Sequence, residues 1–219
     1  MNNMSFKELL MRVSLYILGF FAISFGVVFC LRSGIGLSTW DTLHYALHKL
    51  TNITIGTATI IVAGIFTVAV VIMNKKLKYV FMGVPIFVVG FLIDVVNLQW
   101  MKDFSVSDWY FQVPTYIAGL LLLPLGGALL IISTFPAGVF DEFTLSMMRI
   151  FKTKNLIKTR VIIEVLAVIT ALILGLLAGI GLGQISIGTI IFSVSVGTLL
   201  KFYLSTFERI GLYETQQND

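Results

Sequence analysis

Six long apolar runs separated by short polar stretches dominate the pattern of the chain: Val13–Leu31, Ile55–Met73, Tyr79–Asn97, Pro114–Ser133, Val161–Ile180 and Ser186–Leu204. Each holds about 20 residues, and a rise of about 1.5 Å per residue makes each a helix roughly 30 Å long, the thickness of bilayer hydrocarbon. The pattern predicts an all-α polytopic membrane bundle of six transmembrane helices, organised as a single integral membrane domain over residues 1–219. The first run is too long for the apolar part of a signal peptide, and no small-residue cleavage site follows it. It is expected to stay in the membrane.

Two polar interruptions share one design. "GIGLSTWDTLHYALHK" (Gly34–Lys49) follows the first run, and "TFPAGVFDEFTLSMMR" (Thr134–Arg149) follows the fourth, 100 residues later. At that shift Gly19 falls on Gly119 and Gly26 on Gly126, while Trp40, Leu43, Leu47 and Leu50 fall on Phe140, Phe143, Met147 and Ile150. Those four positions form an apolar stripe at helical spacing, so each interruption predicts a short amphipathic or re-entrant helix. Asp41 falls on Asp141 and Lys49 on Arg149, and the third and sixth spans echo each other more loosely as "GVPIFVVGFLID" and "GTIIFSVSVGTLLK". Three spans per half is an odd number, so the second half enters from the opposite face. The expected architecture is two inverted three-helix repeats, residues 13–97 and 114–204 approximately, an arrangement common among secondary transporters.

Composition agrees with the span count and adds an orientation. Hydrophobic residues make up 58% of the 219 and charged residues 12%, far from the near-half and quarter of a soluble domain. The net charge of +4 does not point to nucleic acid, because the basic residues lie in short groups between spans. With a cytoplasmic amino terminus, twelve lysines and arginines face inward and only Arg32, Lys49 and Lys102 face outward, as the positive-inside rule requires. Both termini are then cytoplasmic, and Trp100, Trp109, Tyr110 and Phe111 gather at the outer interface. The single cysteine, Cys30, lies inside an apolar run, so disulfides play no part.

The chemistry-bearing residues each admit a structural and a functional reading. Ser38-Thr39-Trp40-Asp41 has the spacing of a helix cap, where an acid offsets the positive end of the helix dipole; Asp41 and Asp141 are also candidate ligands for a solute or ion. Asp41, His44 and His48 share one helical face, but Lys49 flanks it and no second histidine or cysteine cluster completes a metal shell, so the face is expected to be the wetted side of an interfacial helix. Glu164 lies inside the fifth span, one turn past Arg160. It either forms a local ion pair there or couples solute or proton movement. Asp94 and Lys201 sit near span ends and are expected to snorkel, and the four glycines permit close helix packing. Zinc-protease, nucleophile-elbow and Walker signatures are absent; no enzyme activity, cofactor or metal is expected.

"GIGLSTWDTLHYALHKLTNITIGTATIIVAG" resembles the signature of the YczE/YyaS/YitT group of bacterial membrane proteins, closest to the YczE branch. Gly36, Trp40, Asp41, Leu43, His44, Ile55 and Gly56 match its pattern, with Thr39 where proline is usual. "TRVIIE", carrying Arg160 and Glu164, and "SIGTIIFSVSVG" extend the likeness over nearly the whole chain. The resemblance implies a multispanning protein of the bacterial plasma membrane and supplies no reaction. Together with the repeat, it leads to an expected carrier of a small solute, working by alternating access. Trp40, Asp41, His44, Asp94, Asp141, Arg160 and Glu164 are the candidate substrate-binding or coupling residues. The expected partners are membrane lipids, an unidentified small solute and, compatibly with so much apolar surface, a second copy of the chain; nucleic acid is not expected. The competing expectation is a non-transporting scaffold or regulatory partner of another membrane protein. An enzyme using Asp41 and His44 as an acid/base pair is the weaker rival.

Overall fold

A computed structural model describes residues 6–136 and 138–212. The described residues form helices and no strands. The six long apolar segments are α1 (Phe6–Ser33), α3 (Ile55–Asn74), a third span over Leu77–Trp100, α5 (Trp109–Ser133), α7 (Leu156–Leu177) and α8 (Ile187–Arg209). The third span is composite. A 3-10 turn (Leu77–Met82) leads into α4 (Gly83–Val95), and a π turn (Val96–Trp100) ends it. All six are long and apolar enough to cross a bilayer. Large side chains such as Ile65, Ile72, Phe87, Phe91, Ile169 and Val194 cover their outward faces. The chain is a multi-pass membrane protein. Its backbone polar groups are satisfied within helices, as hydrocarbon requires.

Glycines set the central pairing. α1 and α5 run antiparallel, with Gly19 against Gly126 and Gly26 against Gly119. A Cβ on Gly119 would lie 2.7 Å from the Gly26 carbonyl oxygen, and one on Gly126 would lie 2.8 Å from that of Gly19. With no hydrophobic drive between helices in lipid, such close backbone approach is what holds them. Gly56 and Gly90 perform the same service between α3 and α4.

The two short helices, α2 (Thr39–Thr51) and α6 (Val139–Phe151), have 13 residues each, about 20 Å of helix, too short to cross roughly 30 Å of hydrocarbon. Trp40, at the start of α2, packs edge-on against Phe66 at 5.1 Å, just past the middle of α3. α2 then returns to the amino-terminal end of α3, where His48 Nδ1 bonds the Ile53 carbonyl. α6 also starts beside Phe66, through Phe140 at 5.4 Å. It runs the other way, to the carboxyl end of α3, where Arg149 bonds Asn74. The two helices therefore occupy opposite halves of the bundle's depth and meet amino end to amino end at its middle.

Local geometry recurs at the 100-residue shift. Ser33 Oγ donates to the Cys30 carbonyl and accepts the Ile35 N–H; Ser133 Oγ donates to the Leu130 carbonyl and accepts the Phe135 N–H. Gly34 and Thr134 both take positive φ, at 68° and 62°, as do Asn52 and Lys152, at 59° and 50°. In both halves the last span leans on the first, α4 on α1 and α8 on α5, but α3 also packs along α4, whereas α7 and α8 have almost no mutual contact.

The expected wetted face of the first short helix is not observed. Asp41 is 8% and His44 2% exposed, and His48 is half-buried, because that face turns into the bundle against α3. Asp94 does not snorkel either. Its carboxylate accepts the Gly56 N–H at 2.8 Å and the Thr54 hydroxyl, closing the amino end of α3. Lys201 is exposed.

Candidate functional site

The amino end of α2 builds the first half of the site. Ser38 Oγ accepts the Asp41 N–H at 3.2 Å and donates its own proton to the Asp41 carboxylate. Ser38 is thus a helix cap that also fixes the acid, which is 8% exposed. One turn on, His44 Nδ1 lies 3.3 Å from Asp41 Oδ1. Thr59 Oγ1, from α3, lies 3.2 Å from the same nitrogen. Thr59 sends its proton to the Ile55 carbonyl at 3.0 Å, so both groups facing Nδ1 are acceptors. That assigns the imidazole proton to Nδ1. Nε2 has no hydrogen-bond partner and is buried.

These groups border a cavity of about 230 Å³ in the middle of the bundle. Its remaining wall is apolar: Ile23 and Val27 from α1, Ile86 and Val89 from α4, Leu123 and Leu130 from α5, and Val139 and Phe140 from α6. Asp41 is the one formal charge among its described lining residues.

The amino ends of α6 and α7 build a second, smaller cavity of about 130 Å³, lined by Trp40, Gly138, Phe140, Asp141, Thr144, Arg160, Ile163 and Glu164. Arg160 bridges both acids. Its Nε bonds Glu164 Oε1 at 3.0 Å and its Nη1 stands 3.3 Å from Asp141 Oδ1. Pairing lowers the cost of carrying Glu164 in an apolar span. With both acids ionised the trio carries one net negative charge.

The two cavities share a wall. Trp40 and Phe140 stack at 4.0 Å between ring centroids and 15° between planes, and both rings, with Gly138, line each cavity. The linings correspond at the 100-residue shift: Ser38 with Gly138, Asp41 with Asp141, His44 with Thr144 and Ala63 with Ile163. Of the candidate residues, Trp40, Asp41 and His44 meet at the first cavity, and Asp141, Arg160 and Glu164 meet at the second beside Trp40. Asp94 belongs to neither. Thr59, Thr144 and Phe140 complete the linings without having been singled out. Phe140 was visible in the repeat stripe, whereas Thr59 becomes visible only once α2 folds back along α3. Among the described residues no group of three or more His, Cys, Asp or Glu could hold a metal ion.

Comparison with known proteins places this arrangement in a lineage. The chain is 24% identical over 200 residues to the "Uncharacterized protein YyaS" of Bacillus subtilis (strain 168), covering 91% of this chain and 95% of that protein. The likeness supports the YyaS-type group, not the YczE branch within it. No solved structure matches. Residues 10–205, which contain both short helices and both cavities, match the Family of unknown function (DUF6198), and the chain belongs to that family.

Proposed function

We propose that the protein is a carrier that moves a small solute across the bacterial plasma membrane by alternating access. Its halves act as inverted repeats, and both termini are cytoplasmic. The observation that carries this reading is the Trp40–Phe140 stack, a wall one aromatic pair thick between two mid-depth cavities with corresponding linings. A carrier needs a thin barrier at its centre, with binding groups from both repeats on either side. The recurring serine and glycine geometry supports the repeat, and the tight α3–α4 contact beside the loose α7–α8 contact supports a state closed on one side and open on the other.

The acid/base pair at Asp41 and His44 invites an enzymatic reading. It lacks a nucleophile: the Ser38 proton goes to Asp41, and no hydroxyl of the described residues reaches His44 Nε2. A scaffold is favoured by one feature, the weakly packed α8, whose free flank a partner protein would cover.

Proteoliposomes loaded with a panel of solutes, with and without a pH gradient, test the proposal. At least one solute should move, Asp41→Asn and Glu164→Gln should each cut that flux, and Trp40→Ala with Phe140→Ala should turn it into a leak. Absence of flux across the panel, with the protein co-purifying stoichiometrically with another membrane protein, would leave the scaffold.

A further inference from the structure

We infer that the larger cavity binds a small primary or secondary ammonium ion with a short hydrocarbon body. The inference rests on reading the two cavities as a solute path and adds the chemistry of the solute. Three features fix that chemistry. His44 Nε2 is a buried, unpartnered lone pair on a side chain 2% exposed. It stays an acceptor because Asp41 and Thr59 both accept at Nδ1. The ring lines the cavity although Nε2 itself has no open surface at rest. An unsatisfied buried acceptor gains from a ligand that displaces its neighbours enough to donate a hydrogen bond to it. Among the described lining residues Asp41 supplies the only formal charge, which selects a cation.

The third feature is the wall. It is aliphatic apart from the Trp40 and Phe140 rings, and aromatic faces attract cations as well as hydrocarbon. At about 230 Å³ the cavity lies below the 300–1,000 Å³ range of sites for drug-sized ligands. The occupant is correspondingly small.

The opposing influence is the meeting of two helix amino ends at this place, each equivalent to roughly half a positive charge. Each is answered by a full carboxylate in its first turn, Asp41 in α2 and Asp141 in α6. Arg160 faces the other cavity. Asp141 is paired with Arg160 in that other cavity, so Asp41, the full charge lining the His44 side, sets the preference for a cation over an anion.

Four probes of similar size separate the terms: propylammonium has charge and N–H donors, tetramethylammonium has charge alone, 1-propanol has a donor alone, and propionate has the opposite charge. Each is titrated calorimetrically into the purified, detergent-solubilised full chain. Propylammonium should bind saturably and about tenfold or more tighter than each of the others, since a hydrogen bond involving a charged group contributes about that much. His44→Phe should bring propylammonium down to the level of tetramethylammonium, and Asp41→Asn should weaken both cations.

Propylammonium binding no tighter than 1-propanol or tetramethylammonium in the unmutated protein overturns the inference, with no variant required. So does propionate binding that His44→Phe abolishes, because His44 would then be a donor to an anion. Binding needs no transport. Saturable propylammonium binding without flux would keep the site and sink the carrier, whereas flux of another solute without ammonium binding would do the reverse.

Discussion

Gly56 and Gly90 let α3 and α4 approach until a Cβ built on Gly56 would lie 1.9 Å from the Gly90 carbonyl oxygen. Alanine in a helix interior is favoured over glycine by about 1 kcal/mol, while overpacking against backbone costs typically 1–3 kcal/mol. A backbone oxygen cannot swing aside, so the clash wins. Gly56→Ala should destabilise by up to about 2 kcal/mol net, measured as an earlier unfolding midpoint in detergent. Gly64, in the same helix with open space around its Cβ position, is the control: Gly64→Ala should be neutral or raise the midpoint. Asp94 reaches the same contact from α4, bonding the Gly56 N–H and the Thr54 hydroxyl. Asp94→Asn should cost about 0.5–2 kcal/mol of stability, the usual worth of a cap, and leave solute flux per folded molecule unchanged. A loss of flux larger than the loss of folded protein would return Asp94 to the solute path.

The short helices are alike in length but not in their ends. α2 begins with a Ser38 cap bonded to Asp41, whereas α6 begins at Gly138, with φ of 52° and no side-chain cap bond. An uncapped amino end leaves N–H groups without partners and lowers the cost of local opening. Native-state hydrogen exchange should therefore show the first-turn amides of α6 exchanging faster than those of α2. Ser38→Ala should close most of that gap by removing about 1 kcal/mol of capping. Equal rates in the unmodified protein would mean that packing, not capping, holds these ends. The long spans were legible in the sequence because an apolar run of membrane length has few other solutions. The depth of α2 was not. Its polar face of Asp41, His44 and His48 reads locally as a solvated surface, and the groups that make burial affordable, Thr59 and the Thr39 partner Ser193 at 3.1 Å, come from other helices. Glu164 was the opposite case: Arg160 stands four residues before it in the chain, and the bridge was readable from spacing alone, although the second carboxylate on Arg160, Asp141, required the fold.

For the whole molecule, the central question is whether the two cavities are one vestibule or two chambers. Ala63 and Ile163 make the question testable, since they line the first and second cavity at corresponding positions. Cys30 is fully buried between α1 and α5 and can be replaced by serine to give a background without thiols. In that background Ala63→Cys and Ile163→Cys are each treated, in sealed vesicles of known orientation, with a membrane-impermeant thiol reagent from one face and then the other. Ile163 stands in the first turns of α7, in the half of the bundle occupied by α6, and its thiol should react from the face where α6 ends. Ala63 stands across the Trp40–Phe140 stack, so its thiol should react only from the opposite face, and more slowly, because α3 and α4 close over that side. Removing the stack with Trp40→Ala and Phe140→Ala should make both thiols reactive from both faces. Reaction of both from a single face in the unaltered stack would show one continuous vestibule. The corresponding linings would then be a packing echo rather than the two chambers that alternating access requires.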